Sequence, residues 1–302
     1  MAISRSQLVK ELEPGLNALF GLEYARYDQE WKGIFDSETS DRAFEEEVEL
    51  SGFGNAPVKS EGAGIQYDDA AEAHTSRYSH ETIALAFAIT EEAVEDNLYD
   101  RLSSRYTKAL ARSMSNAKEI KGANILNRAF NSSYTGGDGL ELCSTAHLTV
   151  SGGNYKNELT TAADLNETSL EQALIDIAGL IDNRGLKIAV KASKMIIPVN
   201  LQFVAERLMK TELRTGSADN DVNAIRSSGM IPGGYDVNHY LTDTDAWFLK
   251  TDAPNGLKHF NRTPIKTAME GDFDTGNVRY KARERYSFGW SDPRGIFGTP
   301  GA

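Results

Sequence analysis

An α+β fold arranged around one long helix is the class that this sequence predicts, and three observations support it. Apolar residues recur every fourth position between residues 90 and 130, which predicts a single helix. An acidic, glycine-rich excursion precedes that helix. A segment in which basic and apolar residues alternate closes the chain, as expected for a strand that is buried on one face.

Residues 1–43 are predicted to form an N-terminal arm. Leucines at helical spacing give a short amphipathic stretch, which Pro14 and Gly15 are expected to break. An aromatic stripe follows, formed by Tyr24, Tyr27, Trp31 and Phe35. Because such a stripe needs a surface to pack on, it docks either on the core of its own chain or on a neighbouring subunit. The sequence leaves both possibilities open.

Residues 44–88 are predicted to form a long two-stranded hairpin. Apolar residues alternate with glutamates from Phe44 to Leu50, and the return strand is expected over residues 78–89. Glycines and Pro57 between the two strands exclude a helix. Eleven acidic residues lie between Asp36 and Glu72, against two basic ones. An isolated hairpin is marginally stable in water, so this element needs a partner surface.

The long helix is expected to begin at Thr90, a favourable N-cap, and to continue to Phe130. Acids follow the cap in the first turn, where the helix dipole stabilises negative charge. Its buried ridge is predicted to consist of Val94, Leu98, Leu102, Tyr106, Leu110 and Met114.

Residues 140–262 are predicted to form a small mixed α/β domain. Capping signals place a helix after Ser169 and end it at Gly185. Two short apolar runs, Met195–Val199 and Ala246–Leu249, indicate buried strands. This segment is therefore where an enzyme would place its pocket.

The closing strand carries opposite chemistry on its two faces. From Val278 to Phe288 apolar residues and bases alternate, with Glu284 as an acid on the apolar face. Opposite charge in this strand and in the acidic excursion predicts contacts between copies of the chain. The residues predicted to make them are Glu45, Glu46, Glu47, Glu49, Arg279, Lys281, Arg283 and Arg285. Two solvated faces are the alternative that charge alone leaves open.

No motif for catalysis, cofactor binding or metal binding stands out. The run from Gly54 to Ser60 resembles the end of a phosphate-binding loop, but Pro57 removes a backbone donor that phosphates need. Cys143 and His147 have metal-ligand spacing without a second pair. The acids after residue 218 lack the glycine and glutamate of a calcium loop. The sequence thus predicts no enzyme, cofactor or metal site.

Composition limits the cellular setting. The single cysteine excludes an intrachain disulfide and fits a reducing compartment. No signal peptide is visible, and the longest apolar run, Ile83–Ile89, is far shorter than a membrane span. A net charge of −12 argues against nucleic-acid binding by the surface as a whole.

The order of these parts resembles the major capsid proteins of tailed bacteriophages, which share the Johnson fold with herpesvirus capsids. Two stretches, Leu16–Tyr27 and Trp31–Phe53, look like the Mu-like group of head subunits. The helix at 91–130 is similar to the family's spine helix. The resemblance implies an N-terminal arm (1–43), an extended loop over a neighbouring subunit (44–88), a peripheral domain with the spine helix (89–139 and 263–302) and an axial domain (140–262).

The implied function is a structural major capsid protein that self-assembles into pentamers and hexamers of an icosahedral head. The head would enclose double-stranded DNA through non-specific contacts. Implied partners are a separate scaffolding protein, a portal and decoration proteins, without a membrane. The implied location is the virion capsid, after assembly in the host cytoplasm. Some members cross-link a loop lysine to a neighbour's asparagine, and Lys59 is the sole candidate here, with a solvated lysine as the alternative.

Two other functions remain open on the sequence. One is an enzyme with its pocket in residues 140–262, which a deep cleft with converging polar groups would favour. The other is a different phage structural protein, such as a tail tube or a decoration protein. The single long helix argues against the latter, because tubes and decorations are mostly β.

Overall fold

The computed structural model describes residues 5–90, 92–93, 99–214, 221–272 and 276–302. The helices are Arg5–Arg26 (α1), Trp31–Ile34 (α2), Tyr99–Asn127 (α3), Glu167–Ala178 (α4), Gln202–Lys210 (α5) and Ala224–Ser228 (α6). The strands are Asp36–Thr39 (β1), Phe44–Leu50 (β2), Glu72–Ser79 (β3), Glu81–Ile89 (β4), His147–Leu148 (β5), Asn154–Tyr155 (β6), Ala192–Pro198 (β7), Tyr235–Asn238 (β8), Trp247–Thr251 (β9), Leu257–Gly271 (β10), Val278–Trp290 (β11) and Ile296–Thr299 (β12). This mixture of helices and sheets confirms the predicted α+β class.

The first sheet has the order β1-β10-β11-β4, and α1 and α3 cover one of its faces. Its buried side chains Tyr280 and Ala282 pack against Leu110 and Met114 of α3. The predicted ridge is therefore confirmed at those two positions, whereas Tyr106 is half exposed. The ridge residues Val94, Leu98 and Leu102 lie outside the described side chains. At the predicted cap, Thr90 Oγ1 accepts a hydrogen bond from the Ala93 amide at 3.4 Å.

The second sheet has the order β12-β9-β7-β8. Its core includes Met195, Ile197, Trp247 and Leu249, each fully buried. The two apolar runs predicted as strands are thus confirmed as β7 and β9. Residues 296–299 form the edge strand β12 of this sheet, although the resemblance groups them with the peripheral domain.

Helix α4 begins and ends earlier than predicted. Asn166 is its N-cap, because its Oδ1 accepts from the Ser169 amide at 2.9 Å and Ser169 Oγ accepts from the Asn166 amide at 3.1 Å. The helix ends at Ala178, before Gly179. Gly185 instead lies in a later turn, where its φ is +82° and its amide donates to Asp182 O. The glycine thus marks a left-handed turn position, as predicted, but not the end of α4.

The N-terminal arm docks on its own chain. Leu16 and Phe20 of α1 are buried against α3 and β11, and Trp31 and Phe35 are buried between the two sheets. The break predicted at Pro14 is wrong, because α1 continues through it. A proline removes one backbone hydrogen bond, and packing of the turns that follow it, through Leu16 and Phe20, offsets that loss.

The predicted return strand, residues 78–89, divides at His80. Its first part belongs to β3, which pairs with β2 in the hairpin, and its second part is β4, which pairs with β11. His80 separates the two strands, and its ring nitrogens lie 2.9 Å from Ser40 Oγ and 3.0 Å from Ser287 Oγ, which holds it against the first sheet. The apolar alternation that marked the strand therefore reflects burial against α3, not the hairpin.

The single cysteine, Cys143, lies in the core that joins the two sheets. It is fully buried, and burial raises the pKa of its thiol well above the ordinary value. Gly298 makes this packing possible, because a Cβ there would lie 2.7 Å from the Phe248 ring and 3.1 Å from Cys143 Sγ. The close approach of β12 to this core therefore requires glycine.

Candidate assembly surfaces

The hairpin turns three of the four glutamates of β2 toward its own chain and its apolar side chains outward. Along β2, Glu45, Glu47 and Glu49 are half-buried, whereas Phe44, Val48 and Leu50 are exposed. This is the reverse of an ordinary surface strand, where apolar residues face the core. The hairpin therefore presents an apolar surface away from the body of the subunit.

Glu47 fixes the base of the hairpin through a buried lysine. The Lys258 ammonium group is within ion-pair distance of Glu47 and lies 3.0 Å from Glu38 Oε1, with 7% of its side chain exposed. Burial alone would lower the pKa of Lys258, but its hydrogen bonds and attraction to Glu47 and Glu38 raise it overall. Ser291 donates to the second Glu47 oxygen. The lysine thus remains charged and anchors β2 to β10.

Glu49 is held by a second buried cation. Arg294 Nη1 donates to Glu49 Oε1 at 2.9 Å and to Asp292 Oδ1 at 3.1 Å, and its Nη2 donates to Asn183 Oδ1 at 3.0 Å. Its Nε donates to Ile181 O at 2.8 Å. Because each guanidinium nitrogen is satisfied, Arg294 serves as a structural clamp and not as a site for a ligand.

The other two glutamates of β2, Glu45 and Glu46, point to opposite faces of the strand. Glu45 accepts a hydrogen bond from Ser40 Oγ at 2.6 Å, so it also binds its own chain. Glu46 faces outward, with its carboxylate 3.7 Å from the Arg77 guanidinium. Of the four predicted contact glutamates, Glu46 is thus the one on the outward face. A role of the run between subunits stays a prediction.

The loop that joins β2 to β3 is closed at its base and exposed at its tip. The Gly54 amide donates to Asp68 Oδ2 at 2.6 Å, and Arg184 lies 2.7 Å from Asp68 Oδ1. These hydrogen bonds, that of Gly54 first, lower the pKa of Asp68. At the tip the side chains of Val58 and Tyr67 are 97% and 92% exposed. Lys59 is exposed beside Val58.

The basic row of β11 lies on the exposed face of the first sheet. Arg279, Lys281 and Arg283 are exposed there and Arg285 is half-buried, which agrees with the predicted alternation. Arg279 forms an ion pair with Asp272. The register pairs the first three bases with the exposed alanines 88, 86 and 84 of β4, so the cations stand on a flat surface of small side chains.

The hairpin and this basic row lie on the same side of the sheet. Tyr78 of β3 packs on Gly289, whose Cβ would lie 2.7 Å from the tyrosine ring, and Gly289 shares its face with Arg283 and Arg285. Helices α1 and α3 cover the opposite face. The subunit therefore has a hairpin side and a helix side.

Glu284, the acid on the apolar face of β11, belongs to a buried polar cluster on the helix side. Its Oε2 lies 3.4 Å from Lys118 Nζ and accepts from Tyr24 OH at 3.3 Å. Burial raises the pKa of Glu284. Nearby, Glu119 Oε2 accepts from the Trp31 amide at 3.1 Å, and burial raises the pKa of Glu119 to about 7. The cluster ties α1 and α2 to α3.

A cleft lies between the hairpin base and the second sheet. Its volume is about 700 Å³, and its lining includes Glu49, Asp182, Asp252 and Arg294. The polar groups at its centre bind one another, as described for Arg294. Within the described ranges, no three histidine, cysteine, aspartate or glutamate side chains converge as metal ligands. In the same part of the chain, no helix combines the length and apolarity of a membrane span.

Solved structures of capsid shells share this fold. The virus-like particle from Pyrococcus furiosus is 11% identical with a TM-score of 0.51, covering 94% of this chain and 97% of that one. The capsid of Myoviridae phage XM1 is 12% identical with a TM-score of 0.52, covering 89% of each chain. The procapsid of bacteriophage JBD30 is 12% identical with a TM-score of 0.55, covering 98% of this chain and 76% of that one.

These likenesses define the class as the Johnson fold of tailed-phage capsid subunits. A family model described as phage capsid protein matches residues 72–298. That match spans most of the sequence, and the chain belongs to this family. A comparison with curated proteins found no match.

Family membership confirms the prediction of a structural capsid protein of the virion over the enzyme and tail-tube alternatives. The Mu-like subgroup is not confirmed. Sequence reasoning missed Lys258 and Arg294, which hold the hairpin. Their partners Glu47 and Glu49 lie more than 200 positions away, so no local pattern could pair them.

Proposed function

We propose that this capsid protein closes rings and shells by laying the projecting hairpin of its extended loop (44–88), residues 44–79, on the basic face of a neighbouring copy. The observation that carries the proposal is the exposed tip: Val58, Ile65 and Tyr67 are large apolar side chains that contact little of their own chain. Exposed apolar groups on a projecting element are typical of an interface.

The receiving surface is the row of Arg279, Lys281 and Arg283 with its alanine neighbours. Its flat apolar floor fits the tip side chains, and its cations complement exposed acids of the loop such as Glu61 and Asp69. Because loop and row are different patches, the contact is head-to-tail, and such contacts generate closed rings when the rotation permits. The rings that we propose are the pentamers and hexamers of an icosahedral head.

In this proposal residues 89–139 with 263–302 form the peripheral domain, and residues 140–262 the axial domain. Residues 1–43 brace the subunit from its helix side. The shell encloses double-stranded DNA, assembles in the host cytoplasm with a scaffolding protein, and receives a portal and decoration proteins. In this proposal Lys59, in the exposed loop, contacts the neighbouring subunit. A denaturing gel of assembled shells tests whether a covalent bond joins the two chains.

A charge swap tests the loop contact. The variant Glu61→Lys with Asp69→Lys should reduce the yield of shells in negative-stain micrographs at least about tenfold, because like charges then face each other. Adding Lys281→Glu and Arg283→Glu should restore shells. These side chains are exposed, so each variant should unfold at nearly the wild-type temperature.

Normal shells from the loop variant would contradict the charge contact. Normal shells from a further variant with Val58, Ile65 and Tyr67 all changed to serine would contradict the loop contact itself. A wild-type chain that stays monomeric at high concentration, even with scaffold supplied, would contradict assembly.

A further inference from the structure

The exposed face of α3 is basic although the chain as a whole is acidic. Residues 99–128 contain seven basic residues against Asp100 and Glu119, in a chain of net charge −12. Arg105, Lys108 and Arg112 are exposed, and none of the three forms an ion pair with a described residue. Glu119 cannot neutralise them from the surface, because it is buried beneath Trp31.

The three cations form one stripe, which we call the α3 basic face (Arg105, Lys108 and Arg112). Spacings of three and four residues put their side chains on the same side of a helix, over about 10 Å of its length. Small and polar neighbours flank the stripe, namely Ala109, Ser113 and Asn116, all exposed. A large partner can therefore approach the helix closely.

A shallow groove between α1 and α3 continues this face. Lys108, Arg112 and Asn116 line one wall, and Tyr27 and Glu23 line the other. Glu23 is the acid that faces the groove, and its Oε1 lies 3.6 Å from Arg26 and accepts from Tyr27 OH at 3.3 Å. Its charge is thus already balanced within α1, and the groove stays net positive.

The position of the stripe separates it from the proposed contact between copies. The α3 basic face lies on the helix side of the sheet, whereas the hairpin and the row of Arg279, Lys281 and Arg283 lie on the hairpin side. An acidic loop that rests on the basic row of a neighbour does not reach the helix side. In a closed shell one layer thick, the two sides become the two surfaces of the shell.

We propose that the α3 basic face binds the phosphate backbone of double-stranded DNA, and that the helix side is therefore the inner surface of the shell. This inference rests on the proposed function, since it assigns the enclosed polyanion to one side of the subunit. Guanidinium groups bind phosphates in a bidentate manner, and three cations on a helix form an electrostatic footprint for a duplex. The contact is independent of sequence, because a short helix face of this kind reaches phosphates and not base edges.

Fluorescence anisotropy of a labelled 30-base-pair duplex with the full-length subunit tests this assignment. We expect wild-type protein to bind at about 50 mM salt and to weaken as salt rises. The variant Arg105→Gln, Lys108→Gln, Arg112→Gln should bind at least about tenfold more weakly. It should also lower the slope of log affinity against log salt by about 2 to 3, as expected for three lost phosphate contacts.

A matched control removes the same charge from scattered cations outside both basic patches. The variant Lys187→Gln, Lys191→Gln, Arg207→Gln should keep the wild-type affinity for the duplex within about twofold, because these exposed side chains share no common face with α3. Both variants change exposed side chains, and circular dichroism should show wild-type helix content in each.

Equal duplex binding by the α3 variant and wild type, or no wild-type binding at about 50 mM salt, would overturn the inference. Shell formation is scored separately in negative-stain micrographs. An α3 variant that binds the duplex normally but forms no shells would identify the face as a contact between copies, which also overturns it. A wild-type chain that binds the duplex but never forms shells would instead contradict the proposed function.

Discussion

At the scale of single residues, the buried His147 ring lies between an aspartate and an asparagine. Its Nδ1 lies 2.6 Å from Asp138 Oδ2, and its Nε2 lies 3.0 Å from Asn157 Oδ1. The Asn157 oxygen is identified by the Ser144 amide that donates to it at 2.8 Å, while Nδ2 donates to Leu142 O. Both ring nitrogens therefore face oxygen acceptors, and the Asp138 carboxylate is the charged one.

This buried pair predicts a large effect of Asp138→Asn. Burial alone would raise the pKa of Asp138, but the hydrogen bond and charge of His147 lower it overall. Because the pKa of Asp138 is lower in the folded chain than in the unfolded chain, its charge stabilises the fold at pH values above the unfolded pKa. This stability is lost as pH falls below about 4. At pH 7 the substitution should cost about 1–3 kcal/mol in urea unfolding, since a ring N–H loses its charged acceptor.

The control for that substitution is Asp236→Asn. Asp236 pairs with Lys194 at 2.7 Å, but 45% of its side chain is exposed. An exposed pair contributes at most about 1 kcal/mol. Equal losses from the two substitutions would contradict the special role of the Asp138–His147 pair.

Glu119 predicts a pH dependence of the opposite sign. Its pKa is raised from 4.5 to about 7 by burial, so the folded chain holds a proton that the unfolded chain has released. The stability that this proton provides is complete below about pH 4.5 and is lost as pH rises through about 7. Glu119→Gln should flatten the fall in unfolding free energy between about pH 5 and 8, measured by urea titration.

Glu171→Gln is the matched control, because Glu171 lies exposed on α4. It should leave the pH profile of the wild type unchanged. A Glu119→Gln profile that still falls with the wild-type slope would assign that pH dependence to another group.

At the scale of elements, α1 is part of the core and not a detachable arm. Phe20 is 3% exposed against α3, whereas Leu22 on the same helix is 74% exposed. Phe20→Ala should therefore destabilise the subunit by about 3–5 kcal/mol, and Leu22→Ala by less than about 0.5 kcal/mol. Thermal or urea unfolding of the unassembled chain measures both. A stable Phe20→Ala subunit that only fails to assemble would instead show that α1 acts between copies.

The elements whose signals lie within a few residues could be predicted from sequence. The alternation of β11, the apolar runs of β7 and β9 and the ridge at Leu110 and Met114 each depend on local periodicity. Boundaries were less predictable. Ser169 takes part in the cap of α4, but the N-cap is Asn166, and Gly185 lies in a turn after the helix has ended at Ala178. Local sequence signals therefore locate helix ends only to within a few residues.

At the scale of the whole molecule, the order of parts was predictable but their pairing was not. The hairpin was expected to meet a basic surface of another copy, and Glu47 and Glu49 instead bind Lys258 and Arg294 of the same chain. Such contacts join positions more than 200 apart, and sequence alone gives no register for them. The outward face of the hairpin that these contacts leave exposed is apolar, and its role between copies stays a prediction.

Because Cys143 is buried, thiol-directed labels cannot react with it in the folded subunit. No other cysteine occurs in the sequence, so a fluorophore attached to a cysteine introduced at position 58 would mark the loop tip alone. The native thiol would then react only when the core between the sheets opens. The same variant would thus report two processes independently. Fluorescence quenching at position 58 would follow assembly, and slow labelling of Cys143 would follow opening of the core during unfolding.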